Sequence, residues 1–430
     1  MTNSPPARLS ADRNFTLLLS GSTASMFGDQ FTLMALPLLV LRLTANAGAL
    51  GMVLATMALP RALLILLGGA VVDRWSPRRV LLCSRAINAL CVVVLAVLTL
   101  GGGITLPHIY AIALGIGIST AFAYPAGSAI LPQLISAVHL PKANSLAMTA
   151  RQLSLFVGPM LAALVVGGTV PASTHSAGSN VHGLGVAFAI DAASFLLSLV
   201  SLVLIRVPAY APTIAPARSM LASVAEGIRA LWHDTPLRSF TIYSTLVMLL
   251  VAGPVQVGLP LLATTCLDLG DASLGILMAA NGAGMLAGGL CTSMILRRAN
   301  DRLGAIIIAL DIMLGLAVVL LAFVRSTAWA SALLAIGGAL GGIGQIGVVT
   351  WIQRRVVPEM MGRAMSVIMV LGMSVAPVSA MCAGLLLSVM DLHTLFVATG
   401  VVLSLSAALG LAYPPLRNIG ADARESLQAA

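Results

Sequence analysis

The sequence predicts an all-α membrane protein with about twelve transmembrane helices, arranged as two pseudo-symmetric six-helix bundles. Three observations predict this fold: the composition, the long apolar runs, and landmarks that recur in the two halves. Of the 430 residues, 59% are hydrophobic and only 9% are charged, and the mean hydropathy is +1.03. Because soluble domains are usually about a quarter charged, we expect lipid to surround most of this chain.

A transmembrane helix needs about 20 predominantly apolar residues. About twelve runs of this chain meet that length, and charged or turn-forming residues separate them. The runs cover residues 15–42, 48–71, 79–102, 104–129, 145–169, 184–207, 238–265, 272–296, 303–324, 328–350, 363–388 and 392–413. We expect no cleavable signal peptide, because the first run is longer than a signal h-region.

The basic residues are distributed unevenly between these runs. If the N-terminus is cytoplasmic, only Arg42 and Arg325 fall on the outer side, Arg61, Arg85 and Arg151 lie within helices, and all other lysines and arginines fall on the cytoplasmic side. The positive-inside rule describes this asymmetry. It predicts a multi-pass protein of the inner cell membrane with both termini in the cytoplasm. The basic pI is then a property of topology, and we expect no nucleic acid as a partner.

The runs divide the chain into halves joined by a cytoplasmic linker. This linker begins with spaced prolines and continues with apolar residues at helical spacing between Leu221 and Trp232, which predicts an amphipathic helix at the membrane surface. A passive linker is an equally open interpretation. The expected divisions are an N-terminal tail (1–14), a first bundle (15–207), the linker (208–237), a second bundle (238–413) and a C-terminal tail (414–430).

The two halves share landmarks at a nearly constant offset, which indicates a duplicated six-helix unit. Parallel six-helix halves are typical of membrane transporters. The offsets are 220, 220 and 223 residues, between Gly68-Gly69 and Gly288-Gly289, Gln133 and Gln353, and Leu36-Pro37 and Leu259-Pro260.

A charged motif follows the second apolar run. It comprises Gly69, Asp73, Arg74, Arg78 and Arg79, and it resembles the loop signature of the major facilitator superfamily, Gly-x-x-x-Asp-Arg-x-Gly-Arg-Arg. Ser76-Pro77 stands where that signature has glycine and a variable residue. The resemblance implies the major facilitator fold and transport by alternating access. It also implies that these five residues form a cytoplasmic gate, which Arg151 joins from the fifth helix. The gate interpretation is favoured for Asp73, whereas Arg74, Arg78 and Arg79 taken singly are better interpreted as anchors of the topology.

Further segments resemble the enterobactin-exporter-like and macrolide-efflux-like members of the superfamily. They are Gly28-Asp29, Tyr124-Pro125-Ala126 and Arg151-Gln152. Gly158-Pro159 is similar to an exporter motif that kinks the fifth helix, although alanines replace its two later glycines. The resemblance implies proton-coupled export of a small amphipathic compound: a drug, a siderophore or another secondary metabolite. An importer, a facilitator or a lipid transporter of the same fold stays open, as does a membrane sensor that transports nothing.

Ionisable residues within membrane helices are costly and by default indicate function. Asp29 and Arg61 lie at matching depths in the first two helices, so we expect an ion pair that couples transport to protons. The alternative is a static pair that fixes helix packing. For Arg85 we expect snorkelling to the membrane surface. For Asp191 and Asp311 we expect structural roles.

The substrate candidates combine polar side chains with a soft apolar one: Gln152, Gln256, Met248 and Gln345. A cavity of this kind suits an amphipathic cargo. The sequence has no Walker loop and no clustered acid, base, nucleophile or metal set, so we expect no enzymatic activity, cofactor or metal. The expected partners are the lipid bilayer, a small molecule and protons, and we expect a monomer.

Overall fold

The structure is a computed structural model of the chain, and it describes residues 12–135, 139–168, 177–205, 229, 232–298, 303–356 and 358–419. Within these residues the fold consists of long helices, which we label α1 to α12. They are α1 (Arg13–Thr44), α2 (Ala47–Arg74), α3 (Pro77–Leu100), α4 (Leu106–Leu134), α5 (Leu140–Gly168), α6 (Ala177–Leu204), α7 (Thr235–Thr265), α8 (Asp271–Arg298), α9 (Leu303–Leu321), α10 (Thr327–Arg355), α11 (Pro358–Leu386) and α12 (Leu392–Leu411). A short helix, Pro414–Arg417, follows α12.

Eleven helices of the described chain are long and apolar enough to cross a membrane. The remaining long helix, α11, contributes a shorter described apolar stretch at Ser374–Leu386. The predicted all-α membrane fold with about twelve helices is therefore confirmed. The helices exceed the predicted runs mainly at their ends; α4, for example, continues to Leu134. Helix ends that leave the apolar layer become polar, so hydropathy alone does not mark them.

The helices fall into two compact units. The first contains α1, the part of α2 from Thr56 onwards, and α3 to α6; the second contains residues 46–55 and α7 to α12. In the first unit α1 packs against α5 and α6, while α3 packs against α4 and α6. The second unit repeats this pattern, because α7 packs against α11 and α12, while α9 packs against α10 and α12. The repeat that the sequence landmarks indicate is thus also present in the helix pairings.

One further helix pairing recurs in the two halves, α2 with α4 and α8 with α10, and glycines make both close approaches possible. A Cβ added to Gly68 in α2 would lie 2.6 Å from the carbonyl oxygen of Ala121 in α4. A Cβ added to Gly288 in α8 would lie 2.1 Å from the carbonyl oxygen of Ala339 in α10. Real Cβ atoms do not approach backbone this closely, so only glycine permits these crossings, as small residues do between membrane helices generally.

The first helix of each unit begins in the same way. Asp12 caps α1 by accepting a hydrogen bond from the Phe15 N–H, and Asp234 caps α7 by accepting one from the Leu237 N–H. Such caps satisfy backbone donors that the helix itself leaves unpaired. Asp234 also forms an ion pair with Arg355, the last residue of α10, with 2.9 Å between Oδ2 and Nε. The start of α7 is therefore tied to the end of α10 within the second unit.

Helix α7 contains a π-helical segment, Pro254–Gly258, between two α-helical parts. Immediately before it, Ser379 of α11 enters the backbone hydrogen-bond ladder. The Ser379 hydroxyl accepts from the Gly253 N–H at 2.6 Å and donates to the Leu249 carbonyl at 2.5 Å. An unbroken α-helix would join that N–H and that carbonyl directly. A side chain inserted in this way is an established cause of helix distortion, and here it lies near the proline that begins the π segment.

Candidate functional site

The first unit contains a cluster of ionisable side chains between α1, α3 and α6. We call it the Asp29 cluster; its charged members are Asp29, Arg85 and Asp191. The guanidinium of Arg85 interacts electrostatically with both carboxylates. It also donates a hydrogen bond from Nη1 to the Ser25 hydroxyl of α1 at 2.7 Å. The cluster therefore links α3 to both of the other helices.

Asp191 is the most enclosed member of the Asp29 cluster, with only 1% of its surface exposed. Its Oδ2 accepts a hydrogen bond from the Thr32 hydroxyl of α1 at 2.5 Å, and its Oδ1 accepts one from Ser194 at 3.2 Å. Gly28 makes this approach possible, because a Cβ there would lie 1.9 Å from Ser194 Oγ. The close packing of α1 on α6 thus delivers the Thr32 hydroxyl to the Asp191 carboxylate.

Arg85 does not snorkel, which corrects the expectation from sequence. Its guanidinium carbon lies 5.5 Å from the centroid of the Phe195 ring in α6, a distance at which a cation is attracted to the face of an aromatic ring. Its buried Nε has no hydrogen-bond partner among the described residues. The side chain therefore turns towards α1 and α6 and carries the only positive charge of the Asp29 cluster.

The expected ion pair between Asp29 and Arg61 is absent from the described contacts. Asp29 has Arg85 as its electrostatic partner, whereas the buried Nε of Arg61 has no hydrogen-bond partner in the described part of the chain. The partner was misjudged because depth in the membrane does not specify which way each helix faces. The role of Asp29 in proton coupling stays a prediction, and so does that of Arg61.

The predicted gate residues occupy separate environments. Arg78 donates to the carbonyl oxygens of Leu202 and Val203, at 3.4 Å from Nε and 2.9 Å from Nη2. It thereby satisfies carbonyls in the last turn of α6, as basic side chains often do. Arg79 and Arg151 are exposed. Gly69 lies in α2, and the side chains of Asp73 and Arg74 lie outside the described part of the structure, so the gate stays a prediction.

Three further predicted positions lie in α5, and one lies in α7. Gly158 packs against α1, since a Cβ there would lie 2.4 Å from Gln30 Cγ. Pro159 is buried within the same helix. Gln152 is partly buried, and Gln256 is exposed in the π-helical segment. The amphipathic helix predicted for the linker falls largely outside the described residues.

The second unit contains a cavity of about 470 Å³. Ligand pockets commonly have volumes of about 300–1,000 Å³. Side chains of α7, α9, α10 and α11 line it. Two of the four predicted substrate residues, Met248 and Gln345, lie on its wall. Most of the other lining residues are apolar, including Val247, Leu314 and Val348.

A tyrosine–aspartate pair forms the most polar part of the cavity wall. The Tyr243 hydroxyl of α7 donates to Asp311 Oδ2 of α9 at 2.7 Å. Both residues line the cavity, as do the hydroxyl-bearing Thr241, Ser244 and Thr245. Sequence reasoning did not select Tyr243, and it assigned Asp311 a structural role. The available signal was an aspartate in a membrane helix, which by default indicates function.

A duplicated pattern of helix pairings, a buried charge cluster and a mostly apolar cavity together define a multi-pass helical membrane protein with the architecture of a transporter. The chain belongs to the Major Facilitator Superfamily, whose family model matches residues 18–380. This finding confirms the resemblance seen in the sequence.

The chain is similar along most of its length to proteins named as multidrug efflux pumps. It is 26% identical over 416 residues to the multidrug efflux pump Tap of Mycolicibacterium fortuitum, covering 94% of this chain and 96% of that protein. It is 24% identical over 411 residues to Tap of Mycobacterium tuberculosis, covering 94% of each.

Solved structures show the same fold at low identity. The nucleoside transporter NupG aligns with a TM-score of 0.69 and 13% identity, covering 93% of this chain and 98% of that one. A bacterial homologue of the iron transporter ferroportin, in an inward-facing state, aligns with a TM-score of 0.68 and 15% identity, covering 92% and 98%. At these identities the likeness concerns the fold alone.

Proposed function

We propose that the protein is a secondary active transporter that exports small amphipathic compounds in exchange for protons, by alternating access. The observation that carries the proton coupling is the sharing of one arginine by two carboxylates in the Asp29 cluster. The similarity to multidrug efflux pumps supports export, and the mostly apolar cavity of the second unit supports an amphipathic cargo.

The charge count of the Asp29 cluster explains why it suits proton binding. If Asp29 and Asp191 are both ionised, the single guanidinium of Arg85 neutralises only one of them. An uncompensated charge in a membrane interior is costly, and binding one proton removes it. Asp191 already accepts hydrogen bonds from Thr32 and Ser194, so Asp29 is the carboxylate we assign to proton exchange.

Proton binding would also change contacts between helices. Neutral Asp29 holds Arg85 less strongly, so the guanidinium is free to strengthen its interactions with Asp191 and Ser25. The strengths of the contacts that join α3 to α1 and to α6 then change. A ligand or proton drives a conformational change only by interacting differently with the two states, and the shared arginine provides such a difference.

The remaining expectations complete this proposal. We propose that the protein acts as a monomer in the inner cell membrane, with both termini in the cytoplasm, and that it is a transporter without enzymatic activity. Residues 15–207 and 238–413 form its two bundles, and the linker between them is cytoplasmic. The signature residues Gly69, Asp73, Arg74, Arg78 and Arg79 act with Arg151 as the cytoplasmic gate.

Everted membrane vesicles test the function directly. Respiration acidifies their interior, so a proton-coupled exporter should accumulate the neutral dye Nile red or the cationic dye ethidium, and a protonophore should abolish the accumulation. Asp29→Asn should lose gradient-driven accumulation but keep dye movement down a dye gradient. Asp391→Asn is the matched control, because Asp391 caps α12 outside the membrane segment and asparagine caps equally well. Accumulation of neither dye, or accumulation unaffected by the protonophore, would contradict the proposal.

A further inference from the structure

The cavity of the second unit has one charged residue among its described lining residues, namely Asp311. No lysine, arginine or histidine of the described wall offsets its charge. Neighbouring lining residues such as Ile307, Leu310 and Leu314 are apolar. The carboxylate is therefore an isolated acid on the wall of an otherwise neutral cavity.

The carboxylate of Asp311 is oriented but only partly satisfied. Tyr243 donates one hydrogen bond to Oδ2 at 2.7 Å, and no described residue donates to Oδ1. An ionised carboxylate accepts up to about four hydrogen bonds. One oxygen is thus fixed by α7, and the other keeps its capacity for a donor or a cation.

The surroundings of Asp311 are complementary to an organic cation with an apolar body. A bound cation would supply the positive charge that the described wall lacks. The low polarity of the cavity would strengthen its attraction to the Asp311 carboxylate. The aromatic rings of Tyr243 and Phe240, both of which line the cavity, can attract the same cation through their faces. Met248 provides a polarisable, adaptable surface for the apolar part of the ligand.

We propose that this cavity is a binding site for lipophilic organic cations, with Asp311 as the anionic anchor and Tyr243 as the residue that positions it. The proposal rests on the proposed export function, and it names the substrate class and the residues that select it. A neutral amphipathic compound would use the apolar wall alone, without the contribution of Asp311.

Binding of tritiated tetraphenylphosphonium to the purified full-length protein tests the site by scintillation proximity. This probe is a permanent cation, so its charge does not vary with pH. Asp311→Asn should weaken its binding about 10- to 100-fold, the loss expected when a hydrogen bond or contact to a charged group is removed. Tyr243→Phe keeps the ring and the carboxylate, so we expect a loss of about 2- to 10-fold. Asp391→Asn should bind as the wild type does.

Neutral triphenylphosphine oxide is the matched ligand without a charge. It should displace the cation from the wild type, and its own apparent affinity should be nearly unchanged in Asp311→Asn. A second variant leaves the carboxylate intact: Gly344 lines the cavity and has no atom within 4 Å of an added Cβ. Gly344→Phe should therefore fill the cavity and abolish binding of both compounds, which keeps the test decisive if Asp311→Asn does not fold.

The outcomes separate this inference from the proposed function. If Asp311→Asn and Gly344→Phe, each folded, bind tetraphenylphosphonium as tightly as the wild type, the site is refuted. Absence of binding to the wild type refutes it equally, even if vesicles accumulate Nile red under a proton gradient. If binding depends on Asp311 while no gradient-driven transport occurs in vesicles, the cation site stands and the export function fails.

Discussion

Arg85 in α3 donates a hydrogen bond to Ser25 in α1, with 2.7 Å between Nη1 and Oγ. In the second unit the matching helices, α9 and α7, are joined by the hydrogen bond from Tyr243 to Asp311, also at 2.7 Å. Arg85 and Asp311 each lie eight residues beyond the first residue of their helix. The duplicated unit therefore carries an ionisable side chain in the first half of the corresponding helix twice, with opposite charge. We relate the first occurrence to proton exchange and the second to cargo.

Removing the shared arginine should destabilise the first unit. Arg85→Leu leaves Asp29 and Asp191 without a counter-charge, and breaking a buried ionic interaction from one side typically costs about 3–5 kcal/mol. We expect a clear fall in the thermal unfolding midpoint of the detergent-solubilised protein. Arg85→Lys should recover part of the loss, and so should Asp191→Asn combined with Arg85→Leu. Arg79→Leu, at an exposed position of the same helix, is the control; an equal effect there would refute the role of the cluster.

Adjacent glycines in α8 should respond differently to alanine. A Cβ on Gly288 would meet the Ala339 carbonyl oxygen at 2.1 Å, whereas one on Gly289 would meet only the end of the Ile346 side chain at 3.2 Å. Backbone cannot move aside cheaply, so Gly288→Ala should cost about 1–3 kcal/mol. Gly289→Ala should be tolerated and gains the better helix propensity of alanine. Thermal midpoints of the two variants check this, and similar midpoints would contradict the packing role of Gly288.

The serine inserted into α7 should stabilise that helix. Ser379→Ala removes the acceptor of the Gly253 N–H and the donor to the Leu249 carbonyl. Leaving buried polar groups unpaired costs about 1–3 kcal/mol each, less whatever the helix regains by closing its own ladder. We expect a lower thermal midpoint and faster amide hydrogen exchange at Gly253. Ser374→Ala in the same helix is the control, and indistinguishable exchange in the two variants would count against the insertion.

The loop between α7 and α8 should make the stability of the protein fall at acid pH, through Asp268. Thr327, the first residue of α10, donates both its N–H, at 2.9 Å, and its hydroxyl to Asp268 Oδ1. These hydrogen bonds hold the pKa of Asp268 below its ordinary value. A lowered pKa in the folded state means that the stabilisation is complete above the unfolded-state pKa of about 3.9. It is lost as the pH falls through the folded-state pKa.

Comparing Asp268→Ala with the wild type isolates this contribution. The variant should have the lower thermal midpoint at neutral pH, and the difference should shrink as the pH is lowered below about 4. Asp268→Asn retains an acceptor that does not titrate, so its difference from Asp268→Ala should be nearly independent of pH. A gap between the wild type and Asp268→Ala that widens on acidification would show that the assigned sign is wrong.

The number and the type of the helices could be predicted from the sequence, and their ends could be predicted to within several residues. The length of an apolar run is a local property, so each membrane helix can be recognised without knowledge of the helices that pack against it. The glycine landmarks also indicated the repeat, because close backbone approach requires the smallest residue wherever it occurs. Side-chain chemistry made Met248 and Gln345 substrate candidates, and both line the cavity; their role in binding stays a prediction.

Which side chains contact one another could not be predicted from the sequence. Asp29 and Arg61 have matching depth in adjacent helices, yet the electrostatic partner of Asp29 is Arg85, and Asp191 joins them from α6. Depth follows from position along one helix, whereas partnership depends on the rotation of each helix and on which helices pack together. Glycine contacts such as Gly28 on Ser194 set that rotation through interactions between segments far apart in the chain. The residue pattern along a single helix does not reveal these interactions between distant segments.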